Sequence, residues 1–245
     1  MKVTTMKQPI FNMGYTIKRT EEGEAIAAMP IRLVVGIPTI NRKDLLIKTL
    51  DDLSKNMPDL DYLMIVDNGN QGIRIPDVFS DKSILRVNEV NVGVAGSWNY
   101  LARRGFETHE ATHVMLIEDD VVFGHSRNDV EQAIQKSPNT AIGCPSFATL
   151  ILSKVCYNDV GPFDEKFFPA YYEDNDYAYR MKLKGYHFIH QYNLRPIVEL
   201  KSQSIAKNSN LNKNFVNNHA RYLNKWGGEP QRETYTTPFN GGTDA

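Results

Sequence analysis

The sequence predicts an α/β fold in which a mostly parallel sheet is flanked by helices and followed by a C-terminal helical appendage. Continuous apolar runs, such as VMLI at 114–117, are typical of strands that are covered on both faces. These runs alternate with helical patterns, which indicates parallel strands joined by crossover helices. Polar clusters follow several of the strands. In open sheets of this kind, ligands bind at the carboxyl ends of the strands.

The composition permits one sizeable domain. The chain has 245 residues, 41% of them apolar, and a formal net charge of −1, so the overall charge does not argue for a nucleic-acid or membrane partner. Cys144 and Cys156 lack the spacing of a metal site, and we predict buried, reduced thiols. No run approaches the ~18 apolar residues of a membrane span, and the N-terminus lacks an apolar leader. We therefore expect a cytoplasmic protein, in the host cytoplasm if the chain is viral.

The first half of the chain predicts an N-terminal extension and then the central strands. Asn41 is expected to cap the first helix, in which Leu46 and Leu50 recur at helical spacing. The predicted elements are an extension at 1–30, strands at 31–38, 62–70, 84–89 and 113–123, and a loop entering a helix at 91–105.

The second half predicts shorter elements and a terminal helix. Gly185 is expected to end a helix that follows an acidic loop, since glycine readily takes the left-handed conformation after a helix. The predicted elements are a strand at 141–147, the helix at 173–186, short strands at 187–191 and 196–201, and a helix at 211–226. We expect one main domain at 31–205, with 206–245 forming a helical, basic tail packed on it.

Three carboxylates, Glu118, Asp119 and Asp120, stand together at the end of a buried strand. Unpaired carboxylates side by side repel one another unless a cation neutralises them. Mg²⁺ and Mn²⁺ prefer oxygen ligands and commonly bridge a carboxylate to substrate phosphates. This stretch alone predicts either such a site or a solvated acidic turn without a ligand.

A series of short motifs then favours one family. Their order and approximate spacing resemble those of glycosyltransferase family 2, over about residues 31–205. The resemblance implies the Rossmann-like GT-A fold of that family. The motifs are GIPTINR, VDNGN, NVGVAGSWN, EDD, GPFDEKFF and YYEDNDYAYR.

The resemblance implies a donor site for a nucleoside-diphosphate sugar. Asp67 looks like the acid that accepts an N–H of the base, which favours UDP, dTDP or GDP donors over CMP, because cytosine offers no ring N–H there. The alternative for Asp67 is a turn aspartate bonded to its own backbone. The other implied donor-binding residues are Pro38, Thr39 and Asn41 at the nucleotide pocket, Asn91, Gly93 and Gly96 near the ribose and diphosphate, and Glu118 and Asp119.

The resemblance also implies the metal ligand and the catalytic base. Asp120 matches the usual ligand of Mn²⁺ or Mg²⁺, and Glu199 stands near the place where many relatives carry a metal-binding His. Asp174 would be the general base that deprotonates the acceptor hydroxyl. The implied contacts with sugar or acceptor hydroxyls are Asp164, Glu173 and Asp176. The alternative for the cluster at 173–176 is an acidic helix N-terminus favoured by the helix dipole.

The predicted function is thus a metal-dependent, inverting glycosyltransferase that acts on a glycan. One alternative acceptor is a hydroxymethylated DNA base, as for some viral enzymes. Five basic residues at 201–225 could contact its phosphates or form a solvated helical face. An alternative of another class is a noncatalytic nucleotide-sugar-binding module. A nucleotidyltransferase would need a glycine-rich basic loop after the first strand, and GIPTINR does not resemble one.

Overall fold

The computed structural model confirms the α/β architecture. Within the residues it describes, one mostly parallel sheet is flanked by helices. Cys144, Lys201 and Lys207 lie outside those residues, as does the side chain of Glu199. The described residues are 30–143, 147–190 and 209–244, with 16–19, 25–28, 194 and 198–199.

The secondary structure follows the predicted alternation of strands and helices. The strands are β1 (Thr16–Arg19), β2 (Ala25–Ala28), β3 (Leu33–Thr39), β4 (Tyr62–Asp67), β5 (Ser83–Val87), β6 (His113–Ile117), β7 (Val121–Val122), β8 (Ala141–Gly143), β9 (Thr149–Ser153), β10 (Ile189–His190) and β11 (Val198–Glu199). The helices are α1 (Lys43–Asn56), α2 (Gly93–Glu107), α3 (Arg127–Lys136), α4 (Lys154–Val160), α5 (Glu173–Leu183) and α6 (Ser209–Trp226), with short 3₁₀ turns at Asp77–Phe79 and Pro238–Gly241.

The main sheet has the strand order β10-β8-β9-β6-β3-β4-β5. Strands β6, β3, β4 and β5 run parallel, whereas β9 runs antiparallel between β6 and β8. Two short antiparallel pairs stand apart from this sheet: β1 with β2, and β7 with β11. The parallel strands therefore end at one edge, where the sequence predicts the ligand site.

Both faces of the sheet are covered, as the continuous apolar runs predict. Val35 and Ile37 of β3 pack on one face with Leu46 of α1. Val34 packs on the other face, with Trp98 of α2. Helix α2 also crosses β6 closely, because a Cβ at Gly105 would lie 2.6 Å from Val114 Cγ2. Successive strand residues point to opposite faces, so each strand contributes to two cores.

Several boundaries differ from the predictions. The N-cap of α1 is Arg42, so the predicted cap at Asn41 is wrong: Asn41 takes the left-handed conformation (φ 53°), and the chain turns one residue further before the helix begins. The predicted strand at 113–123 is broken after Ile117, and β7 pairs with β11 instead. The β1–β2 hairpin, α3, β9 and α4 were not predicted. Gly185, with φ 80°, follows the end of α5 as predicted.

Helix α6 is attached to α5 by a buried ion pair. Asp176 is fully buried, and its carboxylate binds Lys225 Nζ at 2.6 Å, Trp226 Nε1 at 2.9 Å and Arg180 Nε at 2.8 Å. Lys225 Nζ also binds Asp164 at 2.7 Å. A buried charge is tolerable only when it is paired and hydrogen-bonded, so these groups depend on one another.

We expect Lys225→Met to destabilise the protein by about 3 kcal/mol, because the buried Asp176 would lose one of its two counter-ions. The measurement is the free energy of unfolding in urea. Lys213→Met is the matched control, since Lys213 lies exposed on the same helix, and we expect it to change stability by less than about 0.5 kcal/mol. Equal effects of the two substitutions would contradict a structural role for this ion pair.

Candidate active site

The carboxyl ends of three neighbouring strands bring the predicted donor residues together. Thr39 ends β3 and Asp67 ends β4, and the two lie directly opposite each other in the sheet register. β6 pairs with the other side of β3 and ends one residue before Glu118. Pro38 lies half-buried in β3, and Asn41 is exposed just beyond it. Residues that are far apart in sequence therefore line one edge of the sheet.

The turn of three carboxylates is held by donors from β3 and α1. Thr39 Oγ1 donates to Asp119 Oδ2 at 2.6 Å, and Arg42 donates to Asp120 Oδ2 at 2.7 Å. Thr49, fully buried in α1, donates to the carbonyls of Asp119 and Val121. The position of the turn is thus fixed by side chains that precede it by some 70 residues or more in the sequence.

The members of this turn differ in their electrostatic surroundings. Burial raises the pKa of Asp119 to about 6; the charge of Asp120 adds to the rise, and the Thr39 hydrogen bond and Arg42 oppose it. Asp120 has its counter-ion in Arg42. Glu118 is exposed, and its main-chain N–H donates to Ala148. The turn therefore presents one buried, one paired and one exposed carboxylate.

The strand β11 brings Glu199 to the same turn. In the β7–β11 pair, Glu199 lies opposite Val121, the residue that follows Asp120. Its side chain lies outside the described part of the structure. The backbone register is compatible with the predicted role of Glu199 as a metal ligand, which stays a prediction.

The donor atoms at the turn suit a hard divalent cation. Among the side chains that the structure describes, no three or more His, Cys, Asp or Glu residues form a metal-binding group. Mg²⁺, however, is commonly held by only one or two carboxylates, with water and substrate phosphates completing its shell. Asp120 and Glu118 supply such oxygens, so the residues fit the ion, although Arg42 already binds one oxygen of Asp120.

Asp67 is fully buried and bonded within its own loop. It accepts the main-chain N–H groups of Gly69 at 2.9 Å and Gln71 at 2.6 Å, and Gln71 Nε2 at 2.9 Å. The two main-chain contacts are those expected of the alternative interpretation, a turn aspartate bonded to its own backbone. The predicted contact with a base stays open, because the Gln71 amide is a side chain that can be replaced by a ligand.

The glycine-containing loop opens α2 beside a second loop. Asn91 Oδ1 accepts the N–H of Gly93, which is left-handed at φ 76°, and a Cβ at Gly93 would lie 2.9 Å from the carbonyl of Pro169. Gly96 lies one turn on, with Val92 side-chain atoms 3.3–3.4 Å from where its Cβ would be. These glycines thus allow close packing within the protein, and their predicted contact with ribose and diphosphate stays a prediction.

The predicted base lies at the start of α5, in a largely desolvated position. Burial raises the pKa of Asp174, while its hydrogen bond from the Asn175 amide opposes the rise. Burial also raises the pKa of Glu173 well above its ordinary range, with further contributions from the charges of Asp174 and Glu118. Because the charge of Glu118 acts on Glu173, the carboxylate turn and the start of α5 lie near each other.

The loop before α5 is strained and is held by α6. Tyr171 and Tyr172 have left-handed φ values of 79° and 71°, a conformation that costs a bulky residue roughly 1–3 kcal/mol. Asn218 Nδ2 of α6 donates to the carbonyls of Ala170 at 2.8 Å, Tyr171 at 3.2 Å and Phe168 at 3.3 Å. The rings of Tyr171 and Tyr172 pack on α6. Asn218 thus fixes the loop that orients Glu173 and Asp174.

Two predicted sugar-binding carboxylates are engaged by α6. Asp176 is enclosed with both oxygens bonded, and Asp164 binds Lys225 and Arg221 at 2.7 and 3.1 Å. Contact with a substrate hydroxyl would require these bonds to open, and that role stays a prediction for both residues. The same pairs direct Arg221 and Lys225 inward, which removes two members of the basic stretch from a phosphate-binding surface.

Sequence reasoning missed the groups that position the site: Arg42, Thr49, Gln71 and Asn218. Arg42 and Gln71 lie within or beside quoted motifs, yet nothing local reveals their partners. Thr49 could have been noticed as a polar residue on the apolar side of α1. Asn218 lies in an Asn-rich helix in which composition does not distinguish it.

We expect Glu173→Gln to stabilise the protein at pH 8 and to lose this effect as the pH falls toward 4. The folded-state pKa of Glu173 is raised above its ordinary value of 4.5. The fold therefore loses stability as the pH rises from about 4.5 through the folded-state pKa, because the unfolded chain gives up this proton more readily. The melting temperature should rise by about 2 °C or more at pH 8. The exposed Glu89→Gln is the control, and a gain that does not depend on pH would argue against burial as the cause.

The fold resembles those of solved glycosyltransferases at low sequence identity. One is described as mannosyltransferase PcManGT from Pyrobaculum calidifontis in complex with GDP-Man and Mn²⁺; it is 14% identical with a TM-score of 0.55, over 81% of this chain and 65% of that one. Another is S. aureus TarS, 16% identical with a TM-score of 0.51, over 77% and 43% of the two chains. These likenesses show the fold, which is of the GT-A kind that the motifs imply.

The sequence comparisons match a much smaller part of the chain than the structural ones. No family model matches the chain. A galactofuranosyl glycosyltransferase from Leishmania donovani is 51% identical over 39 residues, which is 16% of this chain and 9% of that protein. The chain thus spans less than a tenth of that curated relative. These comparisons place the chain among proteins with the fold of glycosyltransferases, and membership of family 2 stays a prediction.

Proposed function

We propose that the chain is an inverting glycosyltransferase of the family 2 type. It moves a sugar from a nucleoside diphosphate, with UDP favoured, to a hydroxyl of an acceptor glycan, and it uses Mn²⁺ or Mg²⁺. The observation that carries the proposal is the proximity of the two acidic clusters: the charge of Glu118, in the carboxylate turn, acts on Glu173 beside the proposed base Asp174. A solved protein of the same fold carries GDP-Man and Mn²⁺, which supports a nucleotide-sugar donor and a divalent ion.

In this proposal Asp120 holds the divalent ion, with Glu118 beside it and Glu199 as a further ligand. When bound, the ion neutralises charge that develops on the departing diphosphate. Thr39 and Thr49 keep the turn in place, so that Asp120 need not be reorganised during the reaction. Arg42, which binds Asp120, lies where it would also meet the diphosphate oxygens.

Asp174 acts as the general base. It accepts the proton of the acceptor hydroxyl as that oxygen attacks the anomeric carbon opposite the leaving diphosphate, which inverts the configuration in one displacement. A base is most effective when its pKa lies close to the working pH, and the raised pKa of Asp174 moves in that direction. Glu173, whose raised pKa favours the protonated form, donates a hydrogen bond to a sugar or acceptor oxygen.

Two other expectations concern the location of the protein and a DNA acceptor. None of the described helices is long and apolar enough to cross a membrane. A cytoplasmic location remains part of the proposal. A DNA acceptor is not favoured, because Arg221 and Lys225 are bound to internal carboxylates.

The direct test of donor binding is a thermal-shift screen of nucleoside-diphosphate sugars with and without Mn²⁺, since a ligand that binds the folded state raises its melting temperature.

We expect Asp120→Asn to weaken Mn²⁺-dependent binding of the donor by at least about tenfold. The measurement is calorimetric titration of UDP in the presence of Mn²⁺ and again in the presence of a chelator. The variant should bind in Mn²⁺ only as well as the unaltered protein binds in the chelator. The exposed Asp81→Asn serves as the control, and undiminished Mn²⁺ dependence in the Asp120 variant would remove this residue from the proposed metal site.

We expect Asp174→Asn to lower turnover by roughly 10²–10⁴-fold while donor affinity stays within about twofold, since only base catalysis is lost. Turnover is measured as release of nucleoside diphosphate with an accepted glycan, and affinity by titration. The unaltered protein should lose activity as the pH falls through the raised pKa of Asp174. Full turnover by the variant would show that Asp174 is not the base, whereas donor binding without turnover by the unaltered protein would favour the noncatalytic nucleotide-sugar-binding module.

A further inference from the structure

The Gln71 side chain occupies the place that a nucleobase would need in order to reach Asp67. Its Nε2 donates to Asp67 Oδ1 at 2.9 Å, and its carbonyl accepts the main-chain N–H of Arg42. Asp67 is fully buried, and its two oxygens also accept main-chain N–H groups from its own loop. Asp67 Oδ1 thus already accepts two hydrogen bonds, and a ligand N–H can join this oxygen where the Gln71 amide now lies.

The chemistry of this amide matches one class of nucleobase edge. A glutamine carboxamide presents an N–H donor next to a C=O acceptor. Uracil and thymine present the same pair in their ring imide, and guanine presents it in its N–H and neighbouring carbonyl. Asp67 and the Arg42 main-chain N–H form the complementary acceptor and donor. Cytosine and adenine present a donor beside an acceptor only through an exocyclic amino group and a ring nitrogen, rather than through a ring N–H and a carbonyl.

The position of Gln71 allows its side chain to leave. It is only partly buried, and it lies between two exposed residues, Asn70 and Gly72, that have left-handed φ values of 50° and 62°. Its main-chain N–H bonds to Asp67 independently of the side chain, so the loop keeps this contact when the amide moves. The side chain can therefore exchange without the loop unfolding.

We propose that Gln71 fills the nucleobase subsite of the unliganded protein and is replaced there by the imide edge of uracil or thymine, or the equivalent edge of guanine. The proposal rests on the proposed function, since it assumes a nucleoside-diphosphate donor. It makes Gln71 an internal competitor of the donor: a base that displaces the amide must replace its two hydrogen bonds, to Asp67 and to the Arg42 N–H.

The exchange also reaches the carboxylate turn. Gln71 Nε2 lies 3.3 Å from Thr39 Oγ1, and Thr39 donates to Asp119. Departure of the Gln71 amide removes one partner of the Thr39 hydroxyl and leaves its bond to Asp119 in place. The base subsite and the carboxylate turn are in this way connected through a single hydroxyl.

The test is the affinity of the full chain for UDP and for pyrophosphate, which has no base, measured by calorimetric titration in Mn²⁺. Removing an internal competitor raises the fraction of protein that is ready to bind. Gln71→Ala should therefore bind UDP about five- to tenfold more tightly, the effect of losing two ordinary hydrogen bonds, and should show no such gain for pyrophosphate. Gln71→Met keeps the size of the side chain, removes both bonds and should give the same result.

Gln132→Ala, an exposed glutamine of α3, is the matched control and should leave both affinities unchanged. Weaker or unchanged UDP binding by Gln71→Ala would overturn the proposal, because Gln71 would then brace the site or lie outside it. Equal gains for UDP and pyrophosphate would also overturn it, since they would reflect a loosened loop. If the unaltered protein and both Gln71 variants bind no nucleotide at all, the proposed function fails together with this inference.

Discussion

The attachment of the carboxylate turn to α1 is the constraint on which the rest of the site depends. A strand end that carries three successive acids is repelled by its own charges, and chain connectivity alone would not hold it. Thr49 fixes the backbone of the turn, Thr39 binds its buried acid, and Arg42 neutralises Asp120. The first βα unit therefore positions the acids that follow β6, and the site exists only once these distant segments have docked.

The second acidic cluster, at the start of α5, is held in a different way. Its acids, Glu173 and Asp174, begin a helix whose preceding loop is strained, and Asn218 of α6 binds three carbonyls of that loop. The ion pair of Asp176 with Lys225 fixes α6 to α5. Helix α6 thus holds the loop that precedes the proposed catalytic acids, so a substitution that weakens its attachment should lower both stability and activity.

The sequence predicts the features whose signals are local. The strands β3, β4 and β6 were found from their apolar runs, α6 from its periodicity and the end of α5 from Gly185. The capping box of Ser126 and Asp129 at the start of α3 was available and overlooked. The partners of Asp176 and Asp164 were not predictable, because Lys225 pairs with residues 49 and 61 positions away and these pairs depend on how α6 packs. Motif resemblance gave these acids a role in substrate binding, whereas burial gives them partners in the protein.

The two sides of the proposed donor site differ in how firmly they are held, and this difference has a chemical consequence. Groups that stabilise developing charge are most effective when they are fixed in advance, as the carboxylate turn is by Thr39 and Thr49. An internal competitor keeps the buried polar atoms of a ligand subsite hydrogen-bonded until a ligand replaces its bonds. Gln71 supplies such a competitor at Asp67. Rigid support at the phosphate end and exchange at the base end are therefore compatible in one site, and Thr39 is the hydroxyl where they meet.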